Sequence, residues 1–222
     1  MSKSKIVLDL VQDNCFLSNI LFRLKLLLSN FEDESILSWV NNEITGYSDD
    51  SKVPEYRHIR GTIKCDIMHG YHYYQNAYLP ISYSDPNILD IITLHCKESV
   101  SAIETIMKND DGKYASIIQN TVYPYLQKYV NGSIQNAQLV YSEHSFSDVY
   151  SAIKNKVLDI LILLERNFGN LDSYDIKLND KQKDSMIPII IKIVYEDNSI
   201  KIGSNNIISK SEFIVGEHLP KV

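Results

Sequence analysis

Apolar residues recur at intervals of three and four over several stretches of the chain. That spacing places them on one side of an α-helix, and it predicts long helices over residues 5–29, 33–45 and 147–168. A shorter helix is predicted over residues 99–107. In the second helix, Asp33 suits the positive end of the helix dipole, and the glycine that follows the apolar stripe suits the C-terminal end.

The first and last of these long helices carry more apolar surface than one buried stripe requires. Leu8 and Phe22 widen the stripe of the first helix, and Leu158 and Ile162 widen that of the last. A helix that is apolar around much of its circumference is buried between several neighbours or lies in a subunit interface. We therefore expect the protein to form a homo-oligomer, most simply a twofold dimer.

Alternation of apolar and polar residues marks an antiparallel hairpin in the first half of the chain. Residues 57–68 alternate, the pair His69-Gly70 forms a turn, and residues 71–79 return as the second strand. A further strand is predicted over residues 135–142. The expected fold class is α+β, with long amphipathic helices packed on a small antiparallel sheet.

The C-terminal part of the chain is predicted to be a small β appendage. Residues 170–185 are polar and charged, which indicates a linker, and strands are predicted over residues 187–195 and 200–202. The appendage, residues 186–222, is too short for a core of its own, so we expect it to dock on the main domain, residues 1–169, or on another copy. The residues expected at the contact between copies are Ile189, Ile191, Ile193, Leu158 and Ile162.

The charge balance of the chain disfavours one class of partner. Lys and Arg number 22 against 28 Asp and Glu, which gives a net charge of −6, and all of the acidic excess falls in residues 1–111. Proteins that bind duplex nucleic acid normally carry a basic excess. Nucleic acid is therefore not the expected partner.

The cysteines and the hydropathy indicate a cytoplasmic protein. The chain has three cysteines and no C-x-x-C pair, which argues against a disulfide framework and suits a reducing compartment. No signal peptide is visible. The most apolar stretch, residues 157–164, is far shorter than the ~20 residues that a membrane span needs, so no membrane association is expected.

Motifs for common catalytic chemistry are absent from the sequence. It has no Walker A loop, no G-x-G-x-x-G, no G-x-S-x-G and no H-E-x-x-H. His69 and His72 have H-x-x-H spacing, but they straddle a turn and a strand, where positions three apart face opposite sides. We therefore predict no metal site and no cofactor, and we assign no catalytic residue.

One buried charge is predicted at the start of the hairpin. Arg57 belongs to the apolar side of its strand, and a buried guanidinium needs a carboxylate partner, for which Glu43 is the best placed. This pair would lock the second helix to the hairpin. The alternative is an anion or ligand site that uses the same region, with Glu43, Tyr56, Arg57 and Arg60 as its candidate residues.

Tyrosines are concentrated in the returning strand of the hairpin. Tyr71 and Tyr73 are followed by Tyr74 and Tyr78, and residues 68–90 contain no Lys or Arg. Three interpretations stay open: packing in the core, a protein-binding face in which tyrosine is enriched, or stacking on unpaired bases. Tyr71 and Tyr73 are our candidate binding residues here.

Four segments of the sequence resemble the AbiTii domain of bacterial abortive-infection proteins. ILSWVNNEITGY (residues 36–47) and VPEYRHIRG (53–61) look like the family pattern W-V-N-x-E-L-x-G-Y followed by P-x-Y-R-x-x-x-G. ESVSAIETIM (98–107) and IKNKVLDILILLERN (153–167) look like two further helices of the family. The resemblance covers roughly residues 5–168.

The resemblance implies anti-phage defence by abortive infection, in which an infected bacterium stops phage propagation at its own expense. It carries no catalytic residue over to this chain, and Lys156 stands where the family usually has arginine. We expect a cytoplasmic, non-enzymatic sensor or effector, or an oligomerising scaffold, with a phage or host protein as a possible partner.

Two other functions stay open from the sequence. The first is a hydrolase with Glu43, Arg57, Arg60 and His58 around a cleft, which a convergent pocket would support and a dry salt bridge would not. The second is a binder of single-stranded nucleic acid or of a nucleotide signal that uses the tyrosines and Arg60.

Overall fold

The computed structural model describes residues 3–81, 85–108 and 113–196, apart from the side chains of Lys113 and Glu143. The α-helices in these ranges are α1 (Lys5–Val11), α2 (Leu17–Leu28), α3 (Glu34–Thr45), α4 (Pro86–Ile92), α5 (Val100–Ile106), α6 (Tyr123–Leu126), α7 (Glu143–Phe168) and α8 (Asp180–Tyr195). The strands are β1 (His58–Arg60), β2 (Thr62–His69), β3 (His72–Tyr78), β4 (Thr93–His95), β5 (Lys113–Ile117) and β6 (Ser133–Ser142). The α+β prediction is confirmed.

The strands form two antiparallel sheets. β1 pairs with β4 in a two-stranded ribbon, and the other four strands form a sheet in the order β3-β2-β6-β5. One face of the larger sheet enters the core, where Ile63, Cys65, Ala137 and Leu139 are buried. β3 and β5 are the two edges of this sheet.

The helix predicted over residues 5–29 is two helices, α1 and α2. The chain leaves the helix after Val11, and Asp13 adopts a positive φ of 52°. Aspartate tolerates this left-handed conformation better than most residues. The apolar spacing continues across the break, which is why the pattern alone predicts a single helix.

The strand predicted over residues 57–68 is also interrupted. A short 3-10 helix, Glu55–Arg57, precedes β1, and Gly61 separates β1 from β2. The N–H of Gly61 donates to the carbonyl of Ile92, and a Cβ at this position would lie 2.7 Å from the Leu139 side chain. Only glycine fits here, so the chain passes from one sheet to the other at this residue.

The strand predicted over residues 187–195 is wrong, because these residues belong to helix α8. Asn179 and Gln182 form a capping box at its start, and Met186, Ile190 and Val194 are buried at four-residue intervals. α8 packs on α3 and α7. The strand predicted over residues 200–202 lies outside the described residues, and the division into a domain, a linker and an appendage stays a prediction.

The N-terminus is held against the C-terminal end of α7 by a cluster that we call the N-terminal latch: Lys3, Ser4, Glu165 and Leu171. The N–H and the hydroxyl of Ser4 both donate to Glu165 Oε1 at 2.7 Å, and Lys3 Nζ lies 2.5 Å from Oε2. The Leu171 N–H donates to the Ser4 hydroxyl at 3.0 Å. The latch joins residues that are more than 160 positions apart.

No helix in the described ranges combines the length and the apolarity that a membrane crossing requires.

Candidate functional site

The residues that carry the family-like pattern converge behind helix α3. Asp33 caps the helix by accepting the Ile36 N–H, and Trp39 and Glu43 follow four residues apart on its buried side. Arg57 ends the 3-10 helix before β1. Glu43 and Arg57 both have no exposed surface.

The predicted bond between Glu43 and Arg57 is confirmed. Arg57 Nε donates to Glu43 Oε1 at 3.1 Å, and Arg57 Nη2 donates to Oε2, so the contact is bidentate. Arg57 Nη1 donates to the carbonyls of Cys96 and Glu98 at 3.0 and 2.8 Å. Burial alone would lower the pKa of Arg57, but the Glu43 carboxylate outweighs that effect and raises it.

Aromatic side chains complete the hydrogen bonding of the carboxylate. The hydroxyls of Tyr47 and Tyr56 each donate to Glu43 Oε1 at 2.8 Å, and Trp39 Nε1 donates to the Tyr56 oxygen at 2.8 Å. Burial and the Glu43 charge raise the pKa of both tyrosines, so they remain donors. We call Trp39, Glu43, Tyr47, Tyr56 and Arg57 the buried clamp.

The clamp fixes the backbone that follows β4. The Cys96 N–H donates to the Arg57 carbonyl, and the Tyr47 N–H donates to the Lys97 carbonyl, each at 2.8 Å. Gly46 has a φ of 90°, and a Cβ there would lie 2.9 Å from the same Lys97 oxygen. The clamp thus holds three segments together, and its two charged side chains have no surface open to a substrate.

Lys156 connects the clamp to α8. Its ammonium lies 5.0 Å from the centre of the Tyr56 ring and donates to the carbonyls of Ile193 and Glu196 at 2.6 and 3.1 Å. A cation at the C-terminal end of a helix is stabilised by the helix dipole. Lys156 therefore supports the packing of α8 on the main body.

Arg60 does not join the clamp. It is exposed on β1, directly opposite Thr93 on β4, and His58 is opposite His95, with the two rings 4.5 Å apart at 84°. The hydrolase hypothesis required Glu43, Arg57, Arg60 and His58 around one cleft. The structure places the first two in the dry interior and the other two on an exposed ribbon.

A pocket of about 510 Å³ lies beside Arg60. Its lining includes Lys52, Thr93, His95 and Lys97. The sequence does not predict this pocket, because Lys52 and Lys97 are 45 positions apart and neither belongs to a motif. Acidic residues flank both lysines, so the local charge pattern gives no signal either.

Tyr71 and Tyr73 lie on the hairpin formed by β2 and β3, away from the core. Tyr71 is fully exposed, and Tyr73, Tyr74 and Tyr78 are 47%, 51% and 68% exposed. These exposures contradict the interpretation of core packing. We call Tyr71, Tyr73, Tyr74 and Tyr78 the tyrosine edge, because β3 is an edge strand of the sheet.

A bulge divides the tyrosine edge. Asn76 has a φ of 52°, and its N–H donates to Asp66 Oδ1 at 2.8 Å instead of joining a regular ladder. Lys64 lies 4.7 Å from the centre of the Tyr78 ring. Desolvation and the Asp66 carboxylate raise the pKa of Tyr73, so its hydroxyl stays a neutral donor.

A second pocket, of about 460 Å³, opens between the α1–α2 loop, α5 and α7. It is lined by Cys15, Phe16, Met107 and Tyr150, with Glu104 at its base. Glu104 accepts the N–H and hydroxyl of Ser18 at 3.2 and 2.9 Å, and burial together with Glu104 raises the pKa of Tyr150 to about 12. Both carboxylate oxygens of Glu104 accept a hydrogen bond from Ser18, which favours a structural role for this residue.

The residues predicted at a contact between copies are distributed over two helices. Ile189 on α8 is 45% exposed. Ile191, Ile193 and Leu158 are partly buried against the core, and Ile162 is half-buried. Their role in an interface stays a prediction.

His69 and His72 face each other at the end of the β2–β3 hairpin, where both are exposed. Cys65 is buried on the inner face of the sheet. Within the described ranges, His, Cys, Asp and Glu form no group of three or more that could hold a metal ion.

Comparison with known proteins returned one finding. A family model described as AbiTii matches residues 4–189, which includes the buried clamp, both sheets and most of α8. Neither the curated proteins nor the solved structures gave a match.

Proposed function

The chain belongs to the AbiTii family, and on that premise we propose that it acts in abortive infection as a non-enzymatic binding protein. The family membership carries the link to phage defence. The finer role, a sensor or effector that works by contact with another protein, is our proposal.

A single observation supports this role: the charged residues of the family pattern are buried, whereas the tyrosine edge is exposed. The family-like residues include the buried clamp, which has the bonding of a structural core element: a bidentate ion pair in which each guanidinium nitrogen donates to a protein acceptor. A catalytic cleft would instead leave its acid or base within reach of a substrate. This arrangement favours recognition over catalysis.

The tyrosine edge is the surface that we assign to the partner. Tyrosine is enriched in protein interfaces because its ring contributes contact area and its hydroxyl a hydrogen bond. The residues between Met68 and Tyr78 contain no charged side chain, and an edge strand offers free backbone groups. A phage or host protein that supplies a strand or an aromatic-binding groove fits this surface.

Phage plating efficiency tests this proposal. We expect the double variant Tyr71→Ser/Tyr73→Ser to lose protection while its melting temperature stays close to that of the unaltered protein, because both side chains are exposed. The control is Tyr125→Ser, which changes a tyrosine on α6 that is 55% exposed, close to the 47% of Tyr73, and it should protect fully. Full protection by the double variant would contradict the assignment of the tyrosine edge.

We further propose that the protein acts in the cytoplasm. Cys15, Cys65 and Cys96 are all free thiols in the structure, and the latter two are buried where oxidation would disturb packing. Burial raises the pKa of both Cys65 and Cys96, which keeps them unreactive. These features suit a reducing compartment.

A further inference from the structure

We propose that the pocket beside the β1–β4 ribbon binds a small ligand with two or more phosphoryl charges, of the nucleoside diphosphate kind. The pocket lies between the ribbon, the loop before the 3-10 helix at Glu55–Arg57, and the end of β6, where Tyr141 contributes to its lining. The proposal concerns a different surface from the tyrosine edge and does not depend on it.

Two lysines line the pocket, and an arginine lies opposite one of its lining residues. Lys52 and Lys97 line it. Arg60 is opposite the lining residue Thr93, and directly opposed residues of antiparallel strands have Cβ atoms ~5 Å apart on the same face. The lining contains no Asp or Glu, in a chain whose net charge is −6. The lining residues therefore carry a positive charge, opposite in sign to that of the whole molecule, and the nearby Asp49 offsets only part of it.

Among the described residues, two of these cations have no side-chain partner that would compete with a ligand. The side chains of Lys52 and Arg60 form neither a hydrogen bond nor an ion pair there. Lys97 donates to the Asp49 carbonyl at 2.5 Å, and its 3.7 Å approach to the Asp49 carboxylate is weakened by solvent because that carboxylate is fully exposed. All three charges are available to a phosphoryl group.

Neutral groups in the pocket add hydrogen bonding. Ser51 lines the pocket and shares a 2.6 Å hydrogen bond with the Ser48 hydroxyl, which leaves lone pairs and donor capacity for a ligand. His95 is held in place by its edge contact with His58. Together with the cations, these groups match the many acceptor oxygens of a diphosphate.

The buried clamp gives the pocket a fixed wall. Arg57 binds the carbonyls on both sides of Lys97, and Tyr47 binds the Lys97 carbonyl itself. The backbone that presents His95 and Lys97 is therefore ordered before any ligand arrives, which reduces the entropy cost of binding. A volume of about 510 Å³ falls within the range of pockets for small ligands.

Isothermal titration of the full chain with ADP, pyrophosphate and adenosine at low salt tests the proposal. We expect saturable binding of ADP and pyrophosphate and none of adenosine. The variant Lys52→Ala/Arg60→Ala should weaken ADP binding by roughly tenfold or more, because each lost contact is a hydrogen bond from a charged group.

The control variant is Lys177→Ala/Lys181→Ala, which removes the same charge from two exposed lysines before and within α8. It should bind ADP like the unaltered protein. Three results would each overturn the proposal. They are a failure of both ADP and pyrophosphate to bind saturably, an equal loss of ADP binding in the control variant, and binding of adenosine as tight as that of ADP.

Discussion

The side chain of Arg57 is held in one place on every side. Its guanidinium is fully buried and bonded to Glu43 and to two backbone carbonyls. We expect Arg57→Ala to lower the free energy of unfolding by ~3–5 kcal/mol, since it leaves a buried carboxylate without its counterion. Denaturant melts measure this loss. Arg60→Ala, three residues on and exposed, should change stability by less than ~0.5 kcal/mol.

A loss below ~1 kcal/mol for Arg57→Ala would show that the carboxylate is not stranded in the interior. The variant Glu43→Leu/Arg57→Met removes both charges and leaves apolar side chains in their place. It should recover part of the stability lost in Arg57→Ala, because replacing both charges leaves no unpaired ion.

Glu165 gives the stability a defined pH dependence. Burial pushes its pKa upward, but the bonds from Lys3 and Ser4 outweigh that effect and hold its pKa at about 2, below the ordinary 4.5. A carboxylate with a lowered pKa stabilises the fold above pH 4.5, and that stabilisation is lost as the pH falls towards 2.

Unfolding measured across this pH range checks the expectation. Glu165→Gln should be less stable than the unaltered protein at neutral pH and should lose less stability on acidification. Glu34→Gln, at an exposed position on α3, is the control and should follow the unaltered curve. Parallel curves for Glu165→Gln and the unaltered protein would contradict the role of the latch.

For single residues, the sequence predicts the ion pair between Glu43 and Arg57 but not the backbone carbonyls that complete the bonding of Arg57. An arginine on an apolar strand face and a glutamate at a helix end are recognisable within 15 positions. The carbonyls of Cys96 and Glu98, which take the remaining donors, lie 39 and 41 positions away. They are backbone groups, which every residue has, so no residue type signals them.

Among the elements, α8 is where the pattern was most ambiguous. The run from Ile187 to Val194 is almost entirely apolar, and such a run matches a helix and a strand equally well. Pro188 is accommodated inside the helix. The capping box at Asn179 and Gln182 was the signal that could have decided for a helix.

Two neighbouring substitutions in α8 distinguish the helix from a strand. Ile190→Ala should lower the free energy of unfolding by ~2–5 kcal/mol, because Ile190 is fully buried. Ile189→Ala should have little effect, because that side chain is 45% exposed. In a strand with Ile189 on its buried side the order of the two effects would be reversed, and denaturant melts of both variants reveal which order holds.

The breaks within elements have a common cause. The periodicity of residues 5–29 and 57–68 matches the type of element that forms, yet single positions interrupt each stretch: a left-handed Asp13 in the first and Gly61 in the second. Gly61 is required by a side chain that follows 78 positions later, Leu139. Local spacing contains no information about such distant contacts.

For the whole molecule, we still expect self-association, but through the first two helices and not through strands at residues 187–195. With α8 helical, pairing of strand edges over residues 187–195 no longer applies. Exposed apolar residues remain on the first two helices, where Leu8 and Val11 are 40% and 58% exposed, and Phe22 and Leu26 are 55% and 56% exposed. Within each helix the two residues are three or four positions apart and so lie on one face, and larger apolar patches of this kind mark interaction sites.

We therefore expect a dimer in light scattering of the full chain at tens of micromolar. Phe22→Ser/Leu26→Ser should convert it to a monomer if α2 forms the contact. Ile117→Ser, which changes an 83% exposed residue at the β5 edge, serves as the control and should remain dimeric. A monomeric full chain would contradict the prediction, and a dimeric double variant would exclude α2 as the contact.

The N-terminal latch has a consequence for the synthesis of the protein. Ser4 leaves the ribosome early, whereas Glu165 and Leu171 follow 161 and 167 positions later, an interval of roughly 8–30 s at ~5–20 residues per second. Until then α1 has no docking partner at the end of α7, and an interrupted chain cannot close. A chain whose synthesis stops before Glu165 therefore lacks both partners of Ser4 in the latch.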